Sequence, residues 1–154
     1  MHPRLRRLNA EQENMGTAFT GHPYIQILEI EGTPAEKYTI EIRVRGLVPD
    51  GDKSFKEGNV HRVEVFLPRD FPRRPPLCRM TTPVFHPNID PQKICIGDHW
   101  SAGRSLPQLV VQIAEMIAFQ SYNVKSPLNA TAAAWAEEHI ERLPLEPSDL
   151  SGGV

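Results

Sequence analysis

The chain has 154 residues and a formal net charge of −2; 40% of its residues are hydrophobic and 23% are charged. This length corresponds to one domain that can bury its own core. The small net charge argues against nucleic acid as a partner, and the lack of an apolar run of roughly 18 residues argues against a membrane span.

Cysteine usage and the first residues of the chain both bear on where the protein works. The two cysteines, Cys78 and Cys95, are too few for a disulfide scaffold, which predicts a reducing, cytoplasmic setting. The first residues are basic but lack the apolar stretch of a secretory signal.

Residues 3–15 are predicted to form an amphipathic helix, because Leu5, Leu8 and Met15 recur near the helical period with polar residues between them. Two basic clusters occur, one in this helix and one in a later proline-rich segment. Each suits an acidic partner, although a solvated surface explains the charges equally well. The clusters are Arg4, Arg6 and Arg7, and Arg69, Arg73 and Arg74.

Four segments between residues 24 and 81 are predicted to be antiparallel strands. The clearest is residues 38–45, where apolar and polar residues alternate and so give the strand one apolar face. Residues 60–67 alternate in the same way, and residues 24–30 and 77–81 are weaker candidates. One apolar face per strand predicts a meander covered on one side by helices.

Two helices are predicted in the last third of the chain. Ser105 is suited to cap a helix that has Pro107 in its first turn, and the apolar residues after it repeat at intervals of three and four. Asn129 is suited to cap a second helix that runs through Leu143 and stops at Pro144. Residues 146–154 are expected to form a flexible tail outside a single domain of residues 1–145.

The segment between the strands and the helices reads LPRDFPRRPPLCRMTTPVFHPN. Its prolines cannot donate to a sheet ladder, so it is predicted to be rigid and irregular. Its motifs, with those that follow, occur in an order that resembles the ubiquitin-conjugating enzyme family. The set consists of the pattern P-x-x-[YF]-P-x-x-P-P, Thr81-Thr82, His86-Pro87-Asn88, Cys95, Trp100 and Pro127-Leu128-Asn129.

This resemblance covers roughly residues 1–143 and implies an α+β fold with an N-terminal helix, a four-stranded antiparallel meander, an active-site segment and two C-terminal helices. It implies a transferase that accepts a ubiquitin-like modifier from an activating enzyme as a thioester and passes it to a lysine of a target protein. The implied partners are therefore the modifier, the activating enzyme and the target. No metal or other cofactor is implied.

Thioester transfer needs a nucleophilic thiol that an amine can reach. Cys95 fits because it lies in an irregular segment after His86-Pro87-Asn88, whereas Cys78 lies in a predicted strand and suits a buried side chain. The resemblance maps an oxyanion-stabilising or loop-organising asparagine onto Asn88, and an acidic or serine gate residue onto Ser126. Simple satisfaction of backbone groups by Asn88, and a plain exposed loop position for Ser126, are the open alternatives.

The sequence departs from the family pattern in three respects. The Asn88–Cys95 and Cys95–Trp100 intervals are shorter than in typical eukaryotic members, and Arg73 replaces an apolar residue that many ligases contact. One helix, rather than two, is expected beyond Pro127-Leu128-Asn129. These features resemble prokaryotic members encoded with their own activating enzyme, modifier and deconjugating protease, often in antiviral defence.

Two other classes of function stay open on the sequence. A non-catalytic member of the same fold binds a modifier or partner without carrying it, but such members usually lack the cysteine that Cys95 supplies. A small metal-binding module would use Cys78, His86, Cys95 and His99, although their spacings lack the paired short intervals of structural zinc sites.

Overall fold

The computed structural model describes residues 2–90, 92–97 and 100–154. In these ranges the helices are α1 (Pro3–Phe19), α2 (Leu106–Ile117) and α3 (Ala130–Glu138), followed by a 3-10 turn at Ile140–Arg142. The strands are β1 (Ile25–Glu31), β2 (Lys37–Ile42), β3 (Gly46–Asp50), β4 (Ser54–Gly58), β5 (His61–Phe66), β6 (Leu77–Met80), β7 (Ile89–Asp90) and β8 (Lys93–Ile94).

The main sheet has the strand order β1-β2-β5-β6-β8-β7, and its neighbouring strands are antiparallel. The four predicted strands form the consecutive part of this sheet, which confirms the predicted meander. One face of the sheet and the buried side of α2 belong to a single core cluster. Full burial of an aliphatic side chain is worth about 1.5–3 kcal/mol, so this layer contributes much of the stability. Its fully buried members include Tyr38, Ile40, Ile42, Val63, Val65, Leu109, Val110 and Ile113.

The opposite face of the sheet carries mainly polar side chains, and we call it the open face. Glu41 on this face is 6% exposed at its side chain because Arg43 and Arg62 both pair with it. Farther along, Phe66 and Leu77 face each other across β5 and β6 and are exposed. The open face therefore combines paired charges with a small apolar area.

Between β2 and β5 along the chain, β3 and β4 form a separate two-stranded hairpin. This hairpin was not predicted. Its sequence contains Pro49, which pairs with Phe55 across the two strands. Proline is tolerated there because both strands of a two-stranded sheet are edge strands. Gly46 begins the hairpin where a Cβ would lie 2.7 Å from Ile117, so close packing against α2 requires glycine.

The N-terminal and central helices are confirmed, and α1 extends past residue 15 to Phe19. Ser105 caps α2 in a capping box with Gln108. The two helices are joined by Glu11, a buried carboxylate of α1 that accepts a hydrogen bond of 2.8 Å from the Leu106 N–H at the start of α2. No helix in the described part of the chain is long and apolar enough to cross a membrane.

The last helix and the residues after it differ from the prediction. Asn129 caps α3 as expected, but the helix ends at Glu138 rather than near Leu143. The reason is local, since the His139 backbone leaves the helical region and its ring contacts the Trp135 carbonyl at 2.7 Å. The flexibility of residues 146–154 stays a prediction, but Leu150 of this segment is 1% exposed and packs in the main core.

Candidate functional site

The two cysteines lie in opposite environments. Cys95 follows β8 and is exposed, whereas Cys78 lies within β6 and is buried. Burial raises the pKa of the Cys78 thiol to about 12, because the charged thiolate is poorly solvated there. Cys95 is therefore the thiol that a large reactant can approach.

The His86-Pro87-Asn88 turn is held by the ring of its histidine. His86 Nδ1 accepts the backbone N–H of Asn88 at 3.0 Å, and Nε2 lies 3.3 Å from the Ser121 carbonyl. The ring therefore carries its proton on Nε2. Burial lowers the pKa of His86 to about 3, so the ring is neutral near pH 7 and braces the turn.

Asn88 connects this turn to both the cysteine segment and the loop after α2. Its carbonyl oxygen accepts the Cys95 N–H at 3.0 Å. Its side-chain Oδ1 accepts the Asn123 N–H at 2.8 Å, while Nδ2 donates to the Asn123 carbonyl at 2.9 Å. A primary amide has two N–H groups, and the bond to Asn123 uses one of them.

Ser126 is exposed on the loop between α2 and α3. This loop is tied to the same turn, because the Leu128 and Asn129 N–H groups donate to the Pro87 carbonyl at 2.8 and 3.0 Å. The structure thus brings the segments of Cys95, Asn88 and Ser126 together. The backbone hydrogen bonds that connect these segments are accepted by the carbonyl oxygens of Pro87 and Asn88.

Phe119 packs against the His86 ring of the His86-Pro87-Asn88 turn. The sequence did not predict this contact. Phe119 follows α2 with a φ of +60°, and the Phe119 and Gln120 N–H groups donate to the carbonyls of Met116 and Glu115. This is a Schellman motif, in which the left-handed position is usually glycine. The centroids of the Phe119 and His86 rings lie 4.8 Å apart, so the C-terminal end of α2 contacts the His86-Pro87-Asn88 turn directly.

Trp100 packs against the proline-rich segment. Trp100 Nε1 donates to the Pro72 carbonyl at 3.0 Å, and its ring lies 5.6 Å from that of Phe71. Arg73 and Arg74 are exposed next to them, and Arg74 pairs with Asp70 at 3.3 Å. The segment therefore presents two exposed arginines next to buried Phe71 and partly buried Trp100.

The first basic cluster is divided by its contacts. Arg4 donates to the Pro68 carbonyl at 3.1 Å, and Arg7 donates to the carbonyls of Ala102 and Arg104 at 2.6 and 2.8 Å. Arg7 also pairs with Glu11. Arg6 is exposed. Two of the three predicted docking arginines thus hold the fold together.

The residues proposed for a metal module do not gather in the described part of the chain. There, no group of three or more His, Cys, Asp or Glu side chains is placed to hold a metal ion. His99 lies outside the described residues.

Comparisons with known proteins agree on one family. The family described as "Ubiquitin-conjugating enzyme" matches residues 28–143. The chain is 29% identical over 91 residues to the SUMO-conjugating enzyme UBC9 of Caenorhabditis elegans, covering 55% of this chain and 54% of that protein. It is 30% identical over 101 residues to the ubiquitin-conjugating enzyme E2-20 kDa of Schizosaccharomyces pombe, covering 62% of this chain and 56% of that protein.

The chain therefore spans just over half the length of these two curated relatives. Among solved structures, a candidate ubiquitin conjugating enzyme from Plasmodium yoelii superimposes with a TM-score of 0.65. That match covers 92% of this chain and 88% of the other at 20% identity. It establishes the predicted mixed α+β fold.

Proposed function

The chain belongs to the ubiquitin-conjugating enzyme family, and we propose that it accepts a ubiquitin-like modifier on Cys95 as a thioester and transfers it to a lysine amine of a target protein. The observation that carries this proposal is the exposed Cys95 thiol, whose N–H donates to the Asn88 carbonyl of the His86-Pro87-Asn88 turn. The second cysteine is buried in β6 and is not reachable by a partner protein.

The proposed reaction has two balanced steps. First, the Cys95 thiolate attacks the modifier thioester on the activating enzyme; a new C–S bond forms and the activating enzyme's thiolate leaves. Second, a lysine amine attacks the carbonyl carbon, a C–N bond forms, Cys95 leaves as thiolate and the amine releases one proton. A free lysine amine has a pKa of roughly 10.4, so the second step needs the greater assistance.

We assign Asn88 two roles in that assistance. Its hydrogen bonds to Asn123 fix the loop, and the amide N–H that these bonds do not use is a neutral donor for the oxyanion that forms during attack. Ser126, on the loop tied to Pro87, is proposed to hydrogen-bond or gate the incoming amine. Serine is a poor base, so it does not take up the proton itself.

Partner surfaces follow from the exposed arginines. We propose that Arg6 on α1 contacts the activating enzyme. Arg4 and Arg7 are proposed to hold this surface in place through their hydrogen bonds to backbone carbonyls. Arg73 and Arg74 are proposed to face an acidic partner rather than an ordinary ligase, because the first of them replaces an apolar contact residue. The short Asn88–Cys95 interval supports a place in a prokaryotic conjugation system, with a deconjugating protease and a role in antiviral defence.

A cytoplasmic setting belongs to the same proposal. Both cysteines are free thiols in the structure, and a carrier thiol needs a reducing compartment to stay free.

The test is a charging reaction with the cognate activating enzyme, ATP and modifier, followed on a non-reducing gel. Cys95→Ala is expected to abolish a thiol-sensitive adduct while leaving the fold intact. Cys78→Ala is the matched control: it is expected to retain charging and to lower stability modestly by removing a buried sulfur. An adduct that survives in Cys95→Ala contradicts the assignment, and a wild-type chain that never charges indicates the non-catalytic alternative.

A further inference from the structure

Lys93 and Cys95 project from the same face of the segment that carries the exposed thiol. β8 consists of Lys93 and Ile94 and pairs with β7, and the Cys95 N–H continues this pairing by donating to the Asn88 carbonyl at 3.0 Å. Successive side chains of an extended segment point to opposite faces. Ile94 is buried, whereas the lysine and the cysteine on either side of it are exposed. The amine and the thiol therefore share the open face.

The spacing of these two residues brings the amine within reach of the sulfur. A groove of about 1010 Å³ on the open face has both Lys93 and Cys95 in its lining. Two residues of a strand span roughly 6.6 Å, and the four-carbon stem of a lysine places its amine roughly 6 Å from Cα. Strand side chains also lean along the strand direction. The Lys93 amine can therefore reach an acyl group on the Cys95 sulfur without a movement of the backbone.

The Lys93 amine is not engaged by a carboxylate. It takes part in no ion pair with the described residues, although Asp90 is its register partner on β7. Lys37, the other lysine in the lining of the groove, contacts Glu31 and Glu64 at 3.2 Å each. It also lies three strand spacings from β8, or roughly 14 Å. Of the two groove lysines, only Lys93 has an amine that is both unpaired and close to the thiol.

We propose that Lys93 is a modification site of this chain, which accepts the acyl group of Cys95 in an intramolecular transfer from sulfur to nitrogen. The proposal rests on the proposed function of Cys95 as the acyl carrier. The unprotonated Lys93 amine attacks the thioester carbonyl carbon and a C–N bond forms. The C–S bond breaks, Cys95 leaves as thiolate and the amine gives one proton to water. The product is an amide that thiols do not cleave, so a charged carrier that meets no target modifies itself.

The tether between the two groups gives self-transfer a kinetic signature. An amine held by a short flexible tether has an effective concentration of at least about 1 mM. Self-transfer is therefore expected to exceed discharge to free lysine below that concentration. Both reacting groups belong to one chain, so the rate constant does not depend on the protein concentration.

A small acyl donor tests the proposal without the activating enzyme or the modifier. The wild-type chain is incubated with the acetylglycine thioester of mercaptoethanesulfonate, which acylates Cys95 and releases the mercaptoethanesulfonate thiol. The excess donor is then removed, and the protein is followed by mass spectrometry with and without hydroxylamine, which cleaves thioesters and spares amides. Peptide mapping locates the amide.

The wild-type adduct is expected to change from hydroxylamine-sensitive to hydroxylamine-resistant, with the amide on Lys93 and a rate constant that dilution leaves unchanged. Lys93→Arg keeps the positive charge and is expected to slow this conversion at least about tenfold. Lys37→Arg is the matched control, because Lys37 lines the same groove, and it is expected to convert at the wild-type rate. Cys95→Ala is expected to form neither adduct.

A wild-type chain that forms no amide on Lys93 overturns the proposal, as does conversion at the wild-type rate in Lys93→Arg. A rate constant that falls on dilution shows transfer between chains and overturns it too. An amide on Lys93 in Cys95→Ala has the same force, because the lysine then reacts with the donor directly. The donor bypasses the activating enzyme, so failure of the proposed function appears in the charging reaction and failure of self-transfer appears here.

Discussion

Asn88 binds Asn123 through both ends of its side-chain amide, accepting the Asn123 N–H at 2.8 Å and donating to the Asn123 carbonyl at 2.9 Å. Asn88 is only 8% exposed, so these bonds replace lost contacts with water. The pair fixes the loop that carries Ser126 relative to the segment that carries Cys95. A bracing role and a catalytic role for Asn88 are therefore compatible and need a kinetic separation.

Asn88→Ala is expected to form the Cys95 thioester at a nearly normal rate and to discharge it to lysine on the order of 100-fold more slowly. Loss of one oxyanion donor costs roughly 10²–10³ in rate, and aminolysis depends on that donor more than thiol exchange does. Charging and single-turnover discharge of the same variant measure the two steps. Asn88→Asp keeps an acceptor for Asn123 but has no donor, so it should discharge slowly too. Equal losses in both steps would leave Asn88 with the bracing role alone.

Phe119 offers a pair of substitutions that separates backbone strain from packing. Both Phe119→Ala and Phe119→Gly remove a buried ring and should lower the free energy of unfolding by about 3–5 kcal/mol for the ring alone. Glycine adopts the observed φ of +60° at no steric cost, so Phe119→Gly should be the more stable of the two by about 1 kcal/mol. Urea denaturation measures the difference. An alanine variant as stable as the glycine variant would show that this position is unstrained.

The arginines of α1 are expected to divide into structural and docking residues. Arg7→Ala should lower the free energy of unfolding by about 1–3 kcal/mol, because it removes the charged partner of buried Glu11 and the donor to two backbone carbonyls. Arg6→Glu should slow charging and change its salt dependence, with discharge of the pre-charged enzyme unaffected. Identical charging rates across ionic strengths would return Arg6 to the class of solvated surface residues.

Stability is expected to fall in acid because of His86. Its pKa is lowered to about 3 in the folded chain, against roughly 6.5 in an unfolded one. The unfolded state therefore binds more protons between these values, so His86 contributes stability that is complete above about pH 6.5 and decreases as the pH falls toward 3. His61, whose pKa burial also lowers, adds to the same slope.

His86→Gln is the variant that isolates this contribution. It should flatten the pH dependence of the unfolding free energy between pH 6.5 and 4, leaving the part due to His61. Chemical denaturation at several pH values measures both chains. A slope that matches the wild type would mean that the His86 ring accepts its proton without cost to the fold.

The sequence predicted the meander and α2 because their signals are periodic and local. Residues 38–45 alternate, and Ser105 begins a helix with a standard cap. The β3–β4 hairpin was not predicted because Pro49 and the glycines of the hairpin are typical of turns. They are compatible with strands here because the sheet has only two strands. The role of Phe119 was not predicted for a related reason. No local sequence pattern indicates a phenylalanine with left-handed backbone angles, and its ring packs against rings that are distant in sequence.

Cys95, Asn88 and Ser126 were predicted as site residues from the order of the motifs, and their roles stay predictions. The structure brings their segments together through hydrogen bonds that the sequence could not predict. The partner of Asn88 is a backbone group, Asn123 N–H and carbonyl, which any residue at that position supplies. Likewise, Arg4 and Arg7 look like surface charges until backbone carbonyls from distant segments are placed beside them.

Glu11 has a consequence for the cooperativity of the molecule. Its buried carboxylate accepts the first amide of α2 at 2.8 Å while it is paired with Arg7 one turn earlier in α1. The Leu106 amide can exchange its hydrogen with solvent only when α1 lifts away or the whole domain opens. Slow exchange at Leu106, on the time scale of global unfolding, would therefore mean that α1 does not fray independently. A partner that binds α1 would then stabilise the whole domain against unfolding, and not α1 alone.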